Sequence, residues 1–367
     1  MNRIVPGRYS AVLLFTMLLC FGLTSAGLCA RRGESKKGSL SEASANGSLT
    51  IVAVGDIMMG SSYPSTDGLP PRGRSLLEPV AAILADADLT FGNLEGPILD
   101  DGPVVKKCAD PSKCFAFRQP EYIAAYLKDA GFDLLSIANN HMNDFGIRGK
   151  RNTCRVLAEK GIHYAGQEYC PTALVVKNGV RIGFTAFAPT TGSLDINDDD
   201  LVRKVVSDLK KQCDIVIVSF HGGAEGSART HVPRQNEMFC EENRGDVYRF
   251  ARLAIDSGAD VVLGHGPHVT RAIDLYKGKF IAYSMGNFCT YGKFNLKGPN
   301  GFAPILRIRV GRNGDFIDGR ILSVMQPGEG GPVIDDTAQA LQAIKRLTAE
   351  DFPNLHVHFD DHGRFSF

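Results

Sequence analysis

The 367-residue chain has no tryptophan, no marked surplus of either charge and, beyond its first two dozen residues, no long apolar run. Each absence excludes something. Lys and Arg number 41 against 40 Asp and Glu, a net charge of +1. A general nucleic-acid binder needs a basic surplus to neutralise phosphates, so nucleic acid is not expected as a partner. With no later run near the ~20 apolar residues of a membrane span, a polytopic membrane protein is excluded. A G-x-x-x-x-G-K-[ST] phosphate loop, an H-E-x-x-H pair and a G-x-S-x-G elbow are all missing. So is any C-x-x-C or paired Cys/His spacing for structural zinc. The run Asp195 to Asp199 opens like a calcium loop, but Asp200 stands where Gly is needed and Val206 where Glu is needed. Its acids are expected instead to cap a helix starting near Leu201.

What is present is an ordinary globular composition, 44% hydrophobic and 22% charged, which excludes wholesale disorder. Forty glycines point to many tight strand-to-helix turns. Arg3 and Arg8 precede an apolar stretch from Ala11 to Leu23, and small residues follow at Thr24, Ser25 and Ala26. That is the pattern of a signal peptide, residues 1–26. The chain is therefore expected to be exported, to the periplasm or the extracellular space. If the leader is not cleaved, it becomes an N-terminal membrane anchor. Residues 27–48, rich in Gly, Ser, Lys and Glu, read as a flexible linker. An oxidising destination makes disulfides an expectation. Cys108 and Cys114 flank the turn-rich Ala-Asp-Pro-Ser-Lys and are the best local pair. Connectivity among Cys154, Cys170, Cys213, Cys240 and Cys289 stays open.

From Leu49 onward, apolar strand-like runs alternate with segments of helical periodicity. The strands expected are Leu49–Val54, Leu89–Phe91, Leu134–Ile137, Ile215–Phe220, Val261–Leu263 and Phe280–Met285. The helices expected are Leu76–Ala85, Glu121–Ala130, Ile147–Lys160, Leu201–Gln212, Val247–Ser257 and Thr337–Arg346. Asn178-Gly179, Lys277-Gly278 and Asn313-Gly314 each separate two β-rich runs and predict hairpins. The alternation argues for a layered α/β domain with mixed sheets, residues 49–330. A C-terminal helix and tail, 331–367, follow, with the last dozen residues expected to be polar and ragged.

Five apolar runs end in residues that can bind metal. They end at Asp56, at Asn93 and Glu95, at Asn139-Asn140-His141, at His221 with Glu225, and at His265 with His268. In α/β sheets ligands bind beyond the carboxyl ends of the strands. Five such ends on one sheet edge would gather a carboxylate, amide and imidazole set suited to Mn, Zn or Fe, one or two ions. Singly, each residue has a bland explanation as a cap or turn residue. The five-fold recurrence is what favours a shared site.

The motifs G-D-I-M-M-G, G-N-L-E-G-P-I, A-N-N-H-M-N-D-F-G, H-G-G-A-E, G-H-G-P-H-V and Y-S-M-G-N-F occur in this order between about Leu49 and Tyr291. In this the chain resembles the CapA family of capsule-synthesis proteins, associated with bacterial poly-γ-glutamate production. That family is similar to the calcineurin-like metallophosphatases, which implies a four-layer α/β/β/α sandwich. The resemblance implies metal ligands at Asp56, Glu95, Asn140, His221, His265 and His268, and a catalytic role for His141 at the leaving group. Asn93, Glu225 and Asn287 are expected to line the substrate site. Three departures stand out. The D-x-H motif reads Asp56-Ile57-Met58, G-D-x-x-D reads Gly92-Asn93-Leu94-Glu95, and the final histidines are three apart.

Two functions are compatible with this pattern. One is an exported metal-dependent hydrolase of metallophosphoesterase type in capsule or poly-γ-glutamate biosynthesis. The alternative is a non-catalytic assembly or export factor that binds an anionic polymer or a partner in the polymer-synthesis machinery of the cell envelope. In the second, Arg229, Arg234, Arg271 and Lys293 would supply a local basic rim.

Overall fold

The structure is a computed structural model and describes residues 47–71, 75–107 and 115–367. The expected leader, nearly all of the expected linker, and Cys108 and Cys114 lie outside the described residues. Among the described residues, no helix is long and apolar enough to cross a membrane.

The chain opens with β1 (Ser48–Met58), α1 (Ala81–Leu84), β2 (Leu89–Leu94), α2 (Ile123–Asp129), β3 (Leu134–Ser136), α3 (Gly146–Glu159) and β4 (His163–Ala165). It continues through β5 (Thr172–Lys177), β6 (Val180–Phe187), α4 (Asp199–Lys210), β7 (Ile215–His221) and a small hairpin, β8 (Met238–Phe239) and β9 (Glu242–Asn243). Then come α5 (Val247–Asp256), β10 (Val261–His265), β11 (Ile273–Tyr276), β12 (Lys279–Ala282) and β13 (Asn287–Thr290). The last elements are β14 (Phe302–Gly311), β15 (Phe316–Met325), β16 (Val333–Ile334), α6 (Gln339–Asp351), β17 (His358–Phe359) and β18 (Arg364–Ser366).

Two mixed sheets result. The first has the order β17-β18-β15-β14-β1-β2-β3-β4, with β13 also paired to β1 and β16 to β15. The second has the order β11-β12-β10-β7-β6-β5. Strands β1 to β4 are parallel, as are β6, β7, β10 and β12, so each sheet has a parallel centre. The three turn dipeptides do join antiparallel pairs: β5 with β6, β11 with β12 and β14 with β15.

The alternation along β1 explains the layering. Leu49, Ile51 and Ala53 join Phe184, Ile217 and Leu263 of the second sheet in an inter-sheet core. Val52 and Val54 point the other way, against α1, α2 and α3. On the far side, α4 and α5 cover Val216, Val218 and Phe220 of β7. The order of layers is thus α/β/β/α, as expected from the family resemblance. Helix α6 contributes Leu341 and Ile344 to the inter-sheet core and Leu347 to the outer layer of the second sheet. Asp198 caps α4 by accepting from Leu201 N at 3.0 Å, so the acidic run serves a helix start.

Three local expectations are corrected. Leu76–Ala85 is not one helix; a 3-10 turn over Glu78–Val80, containing Pro79, leaves only the single turn of α1. The strand from Phe280 stops at Ala282, because Ser284 Oγ bonds Val269 O at 2.7 Å and Gly286 turns the chain at φ 64°. The last dozen residues are not ragged: β18 pairs with β15, and Phe365 is 2% exposed. Phe365 lies over Gly319, where a Cβ would fall 2.3 Å from its ring, so only glycine admits that packing.

Candidate metal centre

The parallel centres of both sheets point their carboxyl ends the same way. The predicted residues therefore come from two sheets facing each other, not from one sheet edge: Asp56, Asn93 and Glu95 from the first, His221 and His265 from the second. Asp56 sits where β1 shifts register against both β2 and β13. Such an irregularity re-aims a side chain. Its N–H donates to Gly286 O at 2.8 Å. A Cβ on Gly55 would fall 2.0 Å from that carbonyl, so glycine is required next to the aspartate.

Asp56 is fully buried and is the hub of a polar cluster. Asn93 Nδ2 donates to its Oδ1 at 2.8 Å. His265 Nδ1 lies 3.2 Å from Oδ1, and His268 Nδ1 lies 3.0 Å from Oδ2. Burial alone would raise the pKa of Asp56, but the hydrogen bonds and charges of His265 and His268 outweigh it and hold the carboxyl far below its ordinary range. His268 reaches Glu95 Oε1 from Nε2 at 3.5 Å, Glu225 Oε2 at 3.8 Å and Asn287 Oδ1 from Nδ1 at 3.1 Å. Burial opposes its protonation, yet Glu95, Asp56 and Glu225 together raise it to about 10. Its backbone adopts φ 58°, a left-handed conformation uncommon for a non-glycine residue.

Glu95 is fully buried, and burial pushes its carboxyl up to about 8. Neither of its carboxylate oxygens has a hydrogen-bond partner among the described residues. The same holds for Nε2 of His221, Nε2 of His265 and Oδ1 of Asn140. His221 Nδ1 lies 3.4 Å from Asn93 Nδ2, and burial, with Arg244 next, keeps the ring neutral. Buried polar groups without partners are costly, and several in one cluster need an explanation. A cation supplies one: Asp56, Glu95 and His268 each offer a ligand atom within 4.8 Å of the others. A carboxylate and imidazole set of this kind fits a divalent ion of the Mn, Zn or Fe class.

His141 stands beside this group. Its Nε2 lies 4.0 Å from Glu95 Oε1, its Nδ1 lies 2.8 Å from Asp144 Oδ2, and Phe117 stacks on the ring at 3.9 Å. Burial lowers its proton affinity, which Asp144 partly restores. Lys106 joins this dyad, 3.1 Å from Asp144 Oδ1. Phe294 closes the set, edge-on to His268 at 5.2 Å.

Most of the predicted residues thus meet. Asn140 adds a buried Oδ1 without a hydrogen-bond partner among the described residues, while its neighbour Asn139 donates to Asn93 Oδ1 at 3.2 Å and Leu94 O at 2.8 Å. Gln119 was not anticipated. It accepts from Met59 N at 2.9 Å and donates to Glu95 O at 3.3 Å, clamping the ends of β1 and β2. The signal for Asp144 was available in the H-x-x-D spacing; none marked Gln119. Arg271 is not on a rim. Its guanidinium is buried and paired with Glu237 at 2.7 and 2.8 Å, so it offers nothing to a polymer. Arg244, also buried, pairs with Glu225 at 3.0 Å.

With this geometry in place, similarity to known proteins becomes informative. Residues 50–291 match the family described as "Bacterial capsule synthesis protein PGA_cap". The chain belongs to this family. It is 33% identical over 263 residues to the capsule biosynthesis protein CapA of Bacillus anthracis, covering 66% of this chain and 60% of that one. It is 31% identical over 257 residues to the PGA biosynthesis protein CapA of Bacillus subtilis strain 168, covering 65% and 63%. The chain therefore spans about three fifths of the length of these relatives. Among solved structures it is similar to a hypothetical protein from Thermus thermophilus, with TM-score 0.46 and 16% identity over 76% of this chain and 100% of that one. It is also similar to a putative 5'-nucleotidase from Staphylococcus aureus, with TM-score 0.44 and 14% identity over 82% and 58%. Layer order and strand pairing, rather than these distant likenesses, define the fold.

Proposed function

We propose that this PGA_cap chain is an exported, metal-dependent hydrolase of metallophosphoesterase type, working in capsule or poly-γ-glutamate synthesis in the periplasm or outside the cell. The observation that carries the reading is the buried Asp56–Glu95–His268 group, with both Glu95 oxygens lacking hydrogen-bond partners among the described residues. Asp56, Glu95 and His268 would hold the ion, with His221, His265 and Asn140 completing one or two positions. A bound divalent ion would supply a Lewis acid and lower the pKa of water at the site. The chain's own residues do the rest. Asp144 accepts from His141 Nδ1 and fixes the ring, leaving Nε2 turned toward Glu95 to pass a proton to the departing group. Asn93, Asn287 and Glu225 hold Asp56 and His268 in place and line the substrate side. The partners in this reading are an anionic polymer or the envelope machinery that makes it.

The test is metal analysis of the purified protein together with assays on phosphate esters and γ-glutamyl peptides. Hydrolysis that requires metal and disappears in Asp56→Ala supports the reading. A folded, metal-free and inert protein that still binds polyglutamate in a salt-dependent way would replace it with the assembly-factor reading.

A further inference from the structure

Two cysteines that spacing alone leaves unassigned meet in the fold. Cys154 lies on α3, and Cys170 lies in the connection between β4 and β5. Both side chains are half-buried and pack against the same outer apolar cluster. Tyr169 OH lies 3.5 Å from Cys154 Sγ, which places the residue before Cys170 directly against the helix. Cys170 N donates to Gln167 O at 2.9 Å, a tight turn that holds Tyr169 and Cys170 together against α3. Neither is bonded to another cysteine.

We propose that Cys154 and Cys170 are a disulfide pair that closes when the protein meets a low-molecular-weight disulfide such as oxidised glutathione. The Cys154 thiolate attacks one sulfur of that disulfide and expels the first glutathione thiolate. Cys170, after losing its proton to solvent, attacks Cys154 Sγ in the mixed disulfide and expels the second. Two protein thiols are oxidised and one glutathione disulfide is reduced to two thiols. The pair is suited to this order of events. The neighbouring Cys170 thiol lowers Cys154 to about 6 against the opposing effect of burial, which favours its thiolate at neutral pH.

The cross-link would also bear on the metal centre, though it does not depend on any function proposed for it. In the connection that carries Cys170, the buried Gln167 donates to Ile137 O at 2.7 Å and to Ser193 Oγ at 3.0 Å. Ile137 is the last apolar residue before Asn139, Asn140 and His141, apart from the small Ala138. Helix α3, which carries Cys154, begins just after Asp144 and Phe145. A bond between Cys154 and Cys170 therefore ties together the two supports of the His141 loop.

The experiment uses the full chain, reduced and then exposed to oxidised glutathione, with remaining thiols alkylated and peptides mapped. The expected result is a peptide linking Cys154 to Cys170, absent from Cys154→Ser and Cys170→Ser. The melting temperature of oxidised wild type should exceed that of the reduced form by about 5 °C, a shift both serine variants lose. Alkylation of both cysteines in the oxidised, folded protein would overturn the proposal. So would linkage of either one to a different cysteine, or a glutathione adduct that stalls on Cys154. Because the wild-type peptide map decides by itself, a serine variant that fails to fold does not rescue the proposal.

Discussion

Apart from the half-buried Ser48 and Thr50, strand β1 is buried throughout, yet its two ends are buried in different ways. From Leu49 to Val54 every side chain but Thr50 is apolar and is matched by carbon on one sheet face or the other. From Asp56 onward the strand enters a pocket of acids, amides and imidazoles, several of whose polar atoms have no partner among the described residues. Apolar burial stabilises in proportion to area, about 25 cal/mol per Å². Burial of Glu95 does the reverse, since a carboxylate in low dielectric is disfavoured until a cation or proton neutralises it. The first half of β1 holds the fold together, and the second half stores a site at the fold's expense.

That contrast can be broken from either side. Phe184 packs on Phe91 across the sheets at 5.4 Å and is fully buried. Phe184→Ala should cost about 3–5 kcal/mol in denaturant unfolding while leaving the metal affinity of the folded fraction unchanged. A loss of metal binding in that variant would mean the two regions are not separable. Glu95→Gln should do the opposite. Metal affinity should fall about 100-fold or more by calorimetry, since even supporting residues cost 10–100-fold. The metal-free protein should be no less stable at neutral pH, because burial already keeps Glu95 largely protonated below about 8.

Protons sharpen the same point. The folded-state values of Glu95 and His268 are both raised, to about 8 and about 10. In the metal-free protein each contributes stability that is complete below its ordinary value and lost as pH rises through the raised one. Through these two groups, stability without metal should decline between about pH 5 and pH 10, most steeply between about 6.5 and 8, where both are losing their contribution. Metal must displace those protons, so its affinity should move the other way, weakening by up to about tenfold per unit for each proton displaced, about a hundredfold for the two, as pH falls from 8 to 6. Titrations at fixed ionic strength across that range check both slopes, and a flat metal affinity would count against Glu95 as a ligand.

The smallest effect concerns Met58. Its neighbours Ile57 and Met59 belong to the outer apolar cluster, whereas Met58 is fully buried and joins none of the apolar clusters of the described residues. By strand alternation it shares Asp56's side. A thioether is a poor ligand for Mn or Zn. Met58→His should raise affinity or stoichiometry at one position a few-fold, and identical titrations of both proteins would place Met58 away from the ion.

How far the sequence carried these conclusions depends on what kind of pattern each feature leaves. Strand ends at Asp56, Glu95, His221 and His265 were legible because apolar runs stop abruptly at ligand-type residues. The meeting of two sheets was not legible from periodicity, which cannot say which runs share a sheet; it came from the family resemblance. Phe365 escaped notice because the three phenylalanines of the polar tail, Phe359, Phe365 and Phe367, show no sustained period, and its place is set by pairing with distant β15. Arg271 was misplaced because arginine is usually exposed, and only the fold brings Glu237 to it. Asn139 and Asn140 are adjacent and chemically identical; the family resemblance pointed to Asn140 as the ligand, and packing joins Asn139 to Asn93.

The most direct test of the central claim is a calorimetric titration of metal-stripped protein with Mn or Zn, wild type against Asp56→Ala, with circular dichroism confirming that both are folded. The account predicts one or two ions per wild-type chain and at least a 100-fold loss of affinity in the variant, since Asp56 touches Asn93, His265 and His268 at once. Equal stoichiometry and affinity in the two proteins, or no binding by wild type with metal in excess, would contradict it.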